Sequence, residues 1–253
     1  SLHDALPISG PDHSVNEHDR ERRPSVLFFG RRGCGGTEAA LAQLNRLQFD
    51  VTQILSAGRG EQIPEEILRW EGDYILCFRS FFILRENLLK RARVAAINFH
   101  PAPPEYPGSG CINFALYDEC ETYGVTAHVM NKKVDNGKIL DCRRFPVHRA
   151  DTLTSVLART HDQLKILFLD FVTNLANRGE SFIDECLQKS ADITWRGEAR
   201  RMAEFERMKV VDPSVSEDEL LRIIRATYIE NYPPKVILHG FEFLLASDKK
   251  GTG

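Results

Sequence analysis

Short apolar runs that alternate with helix-patterned segments leave this chain few options besides a parallel sheet covered by helices. Residues 25–30 (SVLFFG) are apolar and end on glycine, and residues 37–47 carry a helical spacing. Residues 50–56 (DVTQILS) and 73–78 (DYILCF) read as the next two strands, with a short helix over 64–71, opened by Pro64, between them. A helix over 84–91, a strand over 94–99 and a helix over 111–120 continue the alternation, which is the pattern of an α/β fold with a mostly parallel sheet. Residues 124–130 and 138–142 read as a strand pair with Asn136-Gly137 in the turn. Asp151 then stands where it can cap a long helix, in which Leu153, Leu157, Leu164, Phe168, Phe171 and Leu175 recur at three- and four-residue spacing.

The texture changes beyond Gly179. A mixed charged stretch containing Trp195 leads to Ser216-Glu-Asp-Glu219, a helix start for 217–229 that Pro233-Pro234 would stop, and residues 235–245 read as two short strands around Gly240. At 253 residues there is room for one substantial domain and an appendage. The reading is a tail over 1–23, a catalytic domain over 24–190 and a small α+β extension over 191–253. The tail is polar and dense in charge, too poor in apolar surface to offset its ordering entropy. Its opening SLHDALPIS has the look of translated adaptor sequence, with a native disordered segment as the alternative.

Charge and cysteine usage narrow the function classes. The 33 Lys and Arg residues nearly balance 36 Asp and Glu, for a net charge of −3, so no basic field is present to hold a nucleic acid. The six cysteines are scattered, with no Cys-x-x-Cys pair and no histidine at metal-ligand spacing, which predicts reduced thiols, mostly buried, and no metal. No run is long and apolar enough to span a bilayer, and a cytoplasmic location is the expectation.

Two places could carry chemistry. Gly30-Arg-Arg-Gly-Cys-Gly-Gly36 sits at the first strand-to-helix turn but matches neither a dinucleotide fingerprint nor a P-loop; a tight turn is the plain explanation, with Arg31 and Arg32 available to an anionic group. The stretch Ile97-Asn-Phe-His-Pro-Ala-Pro-Pro-Glu-Tyr-Pro-Gly-Ser-Gly110 ends a strand on Asn98 and His100, two residues apart and so on one face, then enters a loop stiffened by four prolines. At the carboxyl end of a parallel strand that face opens into the substrate crevice. Asp135, in Val134-Asp-Asn-Gly-Lys-Ile-Leu140, lies in a later turn, where an ordinary surface aspartate is the structural alternative.

Taken together, the Asn-x-His-Pro strand end, the Pro-x-Tyr-Pro-Gly loop, Gly124-Val-Thr-Ala-His128 and Val-Asp-x-Gly-x-Ile resemble the folate-dependent formyltransferases, over roughly residues 25–180. The long version of the first motif, through Cys111-Ile-Asn-Phe-Ala-Leu-Tyr117, is most similar to the sugar N-formyltransferases of that family. The resemblance implies a Rossmann-like formyltransferase fold, N10-formyltetrahydrofolate as co-substrate without a metal, a nucleotide-linked amino sugar on dTDP or GDP as acceptor, and a homodimer.

It further implies Asn98, His100 and Asp135 as the catalytic groups. Phe82, Ile83, Leu84, Leu89, Lys132, Lys133 and Val134 fall where the folate ring is held. Arg79, Ser80, Pro103, Glu105, Tyr106, Gly108, Trp195 and Arg196 are the candidate acceptor contacts, with a structural salt bridge as the alternative for Arg79 and Ser80; Trp195, Arg196 and the helix bearing Arg222 and Arg225 could cover the nucleotide, with ordinary amphipathic packing as the default. Attack of a neutral amine on a formyl carbon calls for donors to the developing oxyanion, which an Asn amide and an imidazolium supply, and for a route by which the amine loses its proton. His128, in an alternating strand, reads as a satisfied core or rim histidine. The same three residues would also serve another formyltransferase or a formyl-folate hydrolase, and a non-catalytic nucleotide-binding module is the reading from a different class.

Overall fold

The computed structural model of the protein describes residues 22–247. The expected tail lies outside these residues except at its end. There the Arg22 guanidinium lies 2.7 Å from the Asp73 carboxylate.

Six strands form the main sheet: β1 (Ser25–Arg31), β2 (Asp50–Ser56), β3 (Gly72–Phe78), β4 (Ala92–His100), β5 (Thr122–Val129) and β6 (Ile139–Pro146), in the order β2-β1-β3-β4-β5-β6. The first four run parallel, and β5 and β6 are antiparallel to their neighbours. β3 is central and covered on both faces, which is why all seven of its residues are buried and why its sequence shows no alternation. The direction of winding reverses between β1 and β3, so a crevice opens at their carboxyl ends.

Helix α1 (Gly35–Arg46) and the 26-residue α4 (Leu153–Arg178) pack together on one face. Phe168 of α4 meets Phe28, Phe78 and Phe99 of three adjacent strands edge-on, at ring separations of 5.9, 5.0 and 4.7 Å, and anchors the largest apolar cluster. The opposite face is thinner. The expected helix over 64–71 is a single 3-10 turn, Ile67–Arg69, and that over 84–91 shrinks to α2 (Glu86–Leu89), with Ile67, Leu88 and Leu89 the buried residues of the two segments. α3 (Cys111–Tyr117) follows the proline loop.

Several other boundaries differ from the sequence reading. α4 is capped by Thr152, whose hydroxyl accepts the Ser155 amide, while Asp151 instead takes the Arg159 guanidinium. The charged stretch after Gly179 contains α5 (Glu180–Lys189) and α6 (Met202–Met208), neither of them expected. α7 (Glu217–Thr227) begins on the Ser216 cap as read but ends before the prolines. A second, three-stranded sheet holds β7 (Val210–Val211), β8 (Lys235–Leu238) and β9 (Phe241–Leu244). Of the two readings for Arg222 and Arg225, a cover for a nucleotide or ordinary packing, the structure shows the packing. Arg222 donates to the Tyr117 carbonyl at the end of α3, and Arg225 to the His148 and Asp151 carbonyls, so both pin α7 to the main domain.

Candidate active site

Asn98 and His100 leave the last turn of the pleat in β4 on the same side and converge on Asp135. His100 Nδ1 lies 3.3 Å from Asp135 Oδ2, and Asn98 Nδ2 reaches Oδ1 at 3.4 Å. A fourth group joins them. His128 of β5, paired with Asn98 in the strand register, places Nε2 3.3 Å from Asp135 Oδ1 and 3.1 Å from Asn98 Nδ2. Both histidines and the aspartate are buried, whereas Asn98 is only half-buried. The sequence signal for His128 was its place in Gly-Val-Thr-x-His, opposite Asn98 once β5 is paired antiparallel to β4; alternation alone made it an ordinary buried histidine.

The carboxylate is held by more than the two imidazoles. Asp135 sits at φ +44, a left-handed conformation rare for a residue with a Cβ, and its Oδ2 also accepts the Gly108 amide at 2.9 Å. Burial by itself would raise its pKa; His100, His128 and the Gly108 N–H outweigh burial and keep the carboxyl well below the usual carboxylate range. Such a group is a fixed negative charge rather than a proton acceptor at neutral pH. The free ring nitrogen of His100, Nε2, faces the Tyr106 carbonyl at 3.1 Å, and Nδ1 of His128 faces the Val129 carbonyl at 3.0 Å.

The proline loop is therefore structural support for the site. Pro103 is buried, Tyr106 supplies its carbonyl to His100, and Gly108 its amide to Asp135. Residues 195–200 run alongside and lock the loop: Arg196 N donates to Pro104 O, Arg200 N to Pro107 O, and Ser109 N to Arg200 O. Glu105 pairs with Arg144 at 2.9 Å and lies 3.7 Å from Arg196, which is otherwise exposed. Trp195 stands against the two imidazoles.

A second group of side chains gathers at the β1–β3 crevice. Arg79, at φ +56 directly after β3, donates to the Cys34 sulfur at 3.1 Å, while Arg31 and Arg59 lie over the Phe81 ring at 4.8 and 5.5 Å. None of the three pairs with a carboxylate among the described residues, in contrast to Arg91, Arg93, Arg143, Arg144 and Arg159. Burial and then the charges of Arg79 and Arg31 push the pKa of nearby His161 down to about 4. Ser80 accepts the Phe82 amide and so caps its own turn.

The expected ring-binding residues divide. Leu89, Lys132 and Lys133 line a cavity of about 430 Å³ together with Met130 and Asn131. Phe82 and Leu84 pack instead on the β1–β3 cluster, Phe82 edge-on to Phe29, and Ile83 and Val134 are exposed. Among the described residues no group of three or more His, Cys, Asp or Glu side chains is placed to hold a metal, the six cysteines are free thiols of which Cys77 and Cys186 are buried, and no helix is long and apolar enough to cross a membrane.

This chain is 27% identical over 208 residues to the GDP-perosamine N-formyltransferase of Brucella melitensis, covering 81% of this chain and 74% of the relative. It is 27% identical over 206 residues to the methionyl-tRNA formyltransferase of Ehrlichia canis, covering 79% of this chain and 62% of that protein. The crystal structure of the Helicobacter canadensis N-formyltransferase in complex with folinic acid and dTDP-3-aminofucose shares the fold, with a TM-score of 0.63 at 13% identity over 86% of this chain and 85% of the other. The formyl transferase family model matches residues 37–172, more than half of the chain. By that match and the shared fold, the chain belongs to the formyl transferase family and is a transferase of formyl groups.

Proposed function

We propose that the protein moves the formyl group of N10-formyltetrahydrofolate onto the amine of a nucleotide-linked 4-amino-4,6-dideoxy sugar, a step in making a surface polysaccharide. The observation that carries this reading is the placement of two features at one edge of the sheet. Asn98, His100 and Asp135 meet at the end of β4, and one strand away, where Phe78 pairs with Phe99, begins the set of guanidinium groups that lack carboxylate partners. A diphosphate supplies the missing anion, and an amine on the attached sugar can then reach the catalytic cluster. The names of the Brucella and Helicobacter proteins, which join a formyltransferase to GDP- and dTDP-linked amino sugars, point the same way.

The roles follow from the contacts. The folate supplies an activated formyl carbon. Asn98 Nδ2 and a ring N–H of His100 are the donors available to the oxyanion; His100 gives up a neutral hydrogen bond to Tyr106 O to reach it, at a cost of about 1 kcal/mol. Asp135 holds both imidazoles in orientation as a fixed negative charge, and the proton leaving the amine passes to water. The cavity beside Leu89 and Lys133 is where the folate ring would lie, with largely main-chain contacts from residues 131–134.

The proposal includes residues 191–253 as an extension that completes the site and a homodimer formed through the β8–β9 hairpin. Only Lys235 and Val236 of that hairpin pair with β7. Beyond them Ile237, Leu238, Phe241, Phe243 and Leu244 are exposed on both faces, and among the described residues β9 is a free edge. A two-stranded arm is marginal in water by itself, and an edge strand pairs with its own copy across a twofold axis without further design. The nucleotide part of the reading is tested by Arg31→Gln and Arg79→Gln. Each raises the KM for the nucleotide sugar about tenfold or more, the scale of one lost charge-assisted contact, with the KM for formyl-folate unchanged. Unchanged KM for the sugar in both variants would remove the diphosphate from this crevice.

A further inference from the structure

Trp195 belongs to no helix or strand, yet it packs on both imidazoles of the cluster and bonds to the turn that carries the aspartate. Its indole meets the His128 ring at 4.9 Å and 85° and the His100 ring at 5.7 Å and 67°, close to perpendicular in both cases. Its Nε1–H donates to the Gly137 carbonyl at 2.7 Å, in the same turn that carries Asp135. That turn has no slack, since Gly137 packs so closely on the Val129 carbonyl that a Cβ would lie 1.6 Å from the oxygen. The next residue in the chain, Arg196, begins the run of backbone bonds to the proline loop that sets Tyr106 and Gly108.

Two imidazoles sharing one carboxylate have more than one way to be arranged. His100 and His128 each face Asp135 with one nitrogen and a backbone carbonyl with the other, and a ring flip or a tautomer change would cost each only a modest hydrogen bond if space and water allowed it. The indole denies both. It fills the space beside the rings, and behind it lies a cavity of about 480 Å³, lined by Lys138, Ile139, Leu187, Ile193 and Trp195, from which water would otherwise reach the cluster.

We infer that Trp195 is a positioning residue of the formyl transfer reaction, which fixes the orientation of the His100–Asp135–His128 array by edge packing and by its hydrogen bond to the Asp135 turn. This rests on the proposed role of that array. Trp195→Ala lowers kcat about tenfold to a hundredfold, the usual result of loosening a reacting group, while KM for both substrates stays within about threefold. Trp195→Phe, which keeps a ring and loses the N–H, recovers most of the loss. A readout that needs no turnover separates this inference from the assignment of the reaction. Nitrogen NMR of histidine-labelled full-length protein shows one protonation pattern for each ring in the wild type and an average over several in Trp195→Ala. Identical ring-nitrogen signals in the two proteins, or a loss confined to KM, would overturn the inference. If the alanine variant does not fold, the phenylalanine variant decides it: a measurable fall in kcat at unchanged KM supports the hydrogen-bond part, and full wild-type kcat overturns it.

Discussion

Gly108 shows how few residues stand between the backbone and the chemistry. Its φ of +90 suits only glycine, and a Cβ there would sit 2.3 Å from the Arg200 carbonyl oxygen, so the loop and the 195–200 segment approach as closely as two backbones can. Its amide in turn holds Asp135, at 2.9 Å. Gly108→Ala is therefore expected to lower stability by about 2 kcal/mol or more and to lower kcat in the fraction that remains folded, because the strain is relieved by moving the very amide that orients the carboxylate. Thermal melting and steady-state kinetics on the same preparation check this; a variant with wild-type Tm and kcat would mean that the loop is not held as described. His128 makes the complementary point. A strand histidine opposite Asn98 is an ordinary core residue until the carboxylate of Asp135, from the turn that follows β5, comes within reach of both.

At the scale of elements, the parallel half of the sheet was legible because its strands are short apolar runs separated by helical periodicity, and the carboxyl end of β4 because Asn98 and His100 share a face under the two-residue period of a strand. Two elements escaped the sequence reading: α5, a ten-residue helix that packs on β6 and α4 through residues such as Ile183 and Cys186 inside an otherwise charged stretch, and α6, which has no buried residue at all and so no apolar stripe to read. The arginines of α7 take the ordinary packing role that stood beside nucleotide binding in the sequence, since a helix face that binds carbonyl groups of its own protein has the same sequence as one awaiting a phosphate. The opposite, amino-terminal edge of the sheet carries a structural cluster that was not visible beforehand. Buried Asp73 accepts the Ser25 amide and pairs with Arg93 and Arg22, which together outweigh its burial and lower its pKa to about 2. A carboxyl depressed in this way contributes stability above its unfolded pKa near 4 and loses it as pH falls towards 2, about 2 kcal/mol in all. Asp73→Asn is expected to lower stability at pH 7 by roughly that amount and to flatten the acid limb between pH 4 and 2; equal pH dependence in both proteins would contradict the account.

For the whole molecule, the proposed function assigns chemistry to one sheet and assembly to the other. The main sheet carries the candidate catalytic edge, and the second sheet ends in an arm whose apolar side chains face outward on both sides. Phe241→Asp with Phe243→Asp is expected to convert a dimer into a monomer in sedimentation at micromolar concentration, with the fold intact; a wild-type protein that is already monomeric would remove the arm from this role. Acceptor choice is also a property of the whole, because the catalytic residues are compatible with any amine that is brought to them. The most direct test follows the carbon-labelled formyl group of N10-formyltetrahydrofolate in the presence of GDP- and dTDP-linked 4-amino-4,6-dideoxy sugars, with methionyl-tRNA as the competing acceptor. The account predicts label on one of the sugars, little on the tRNA, and a loss of about a hundredfold or more in kcat with Asn98→Ala or His100→Ala at nearly unchanged folate binding. Label that passes to methionyl-tRNA or appears only as free formate, or variants that transfer it at the wild-type rate, would contradict it.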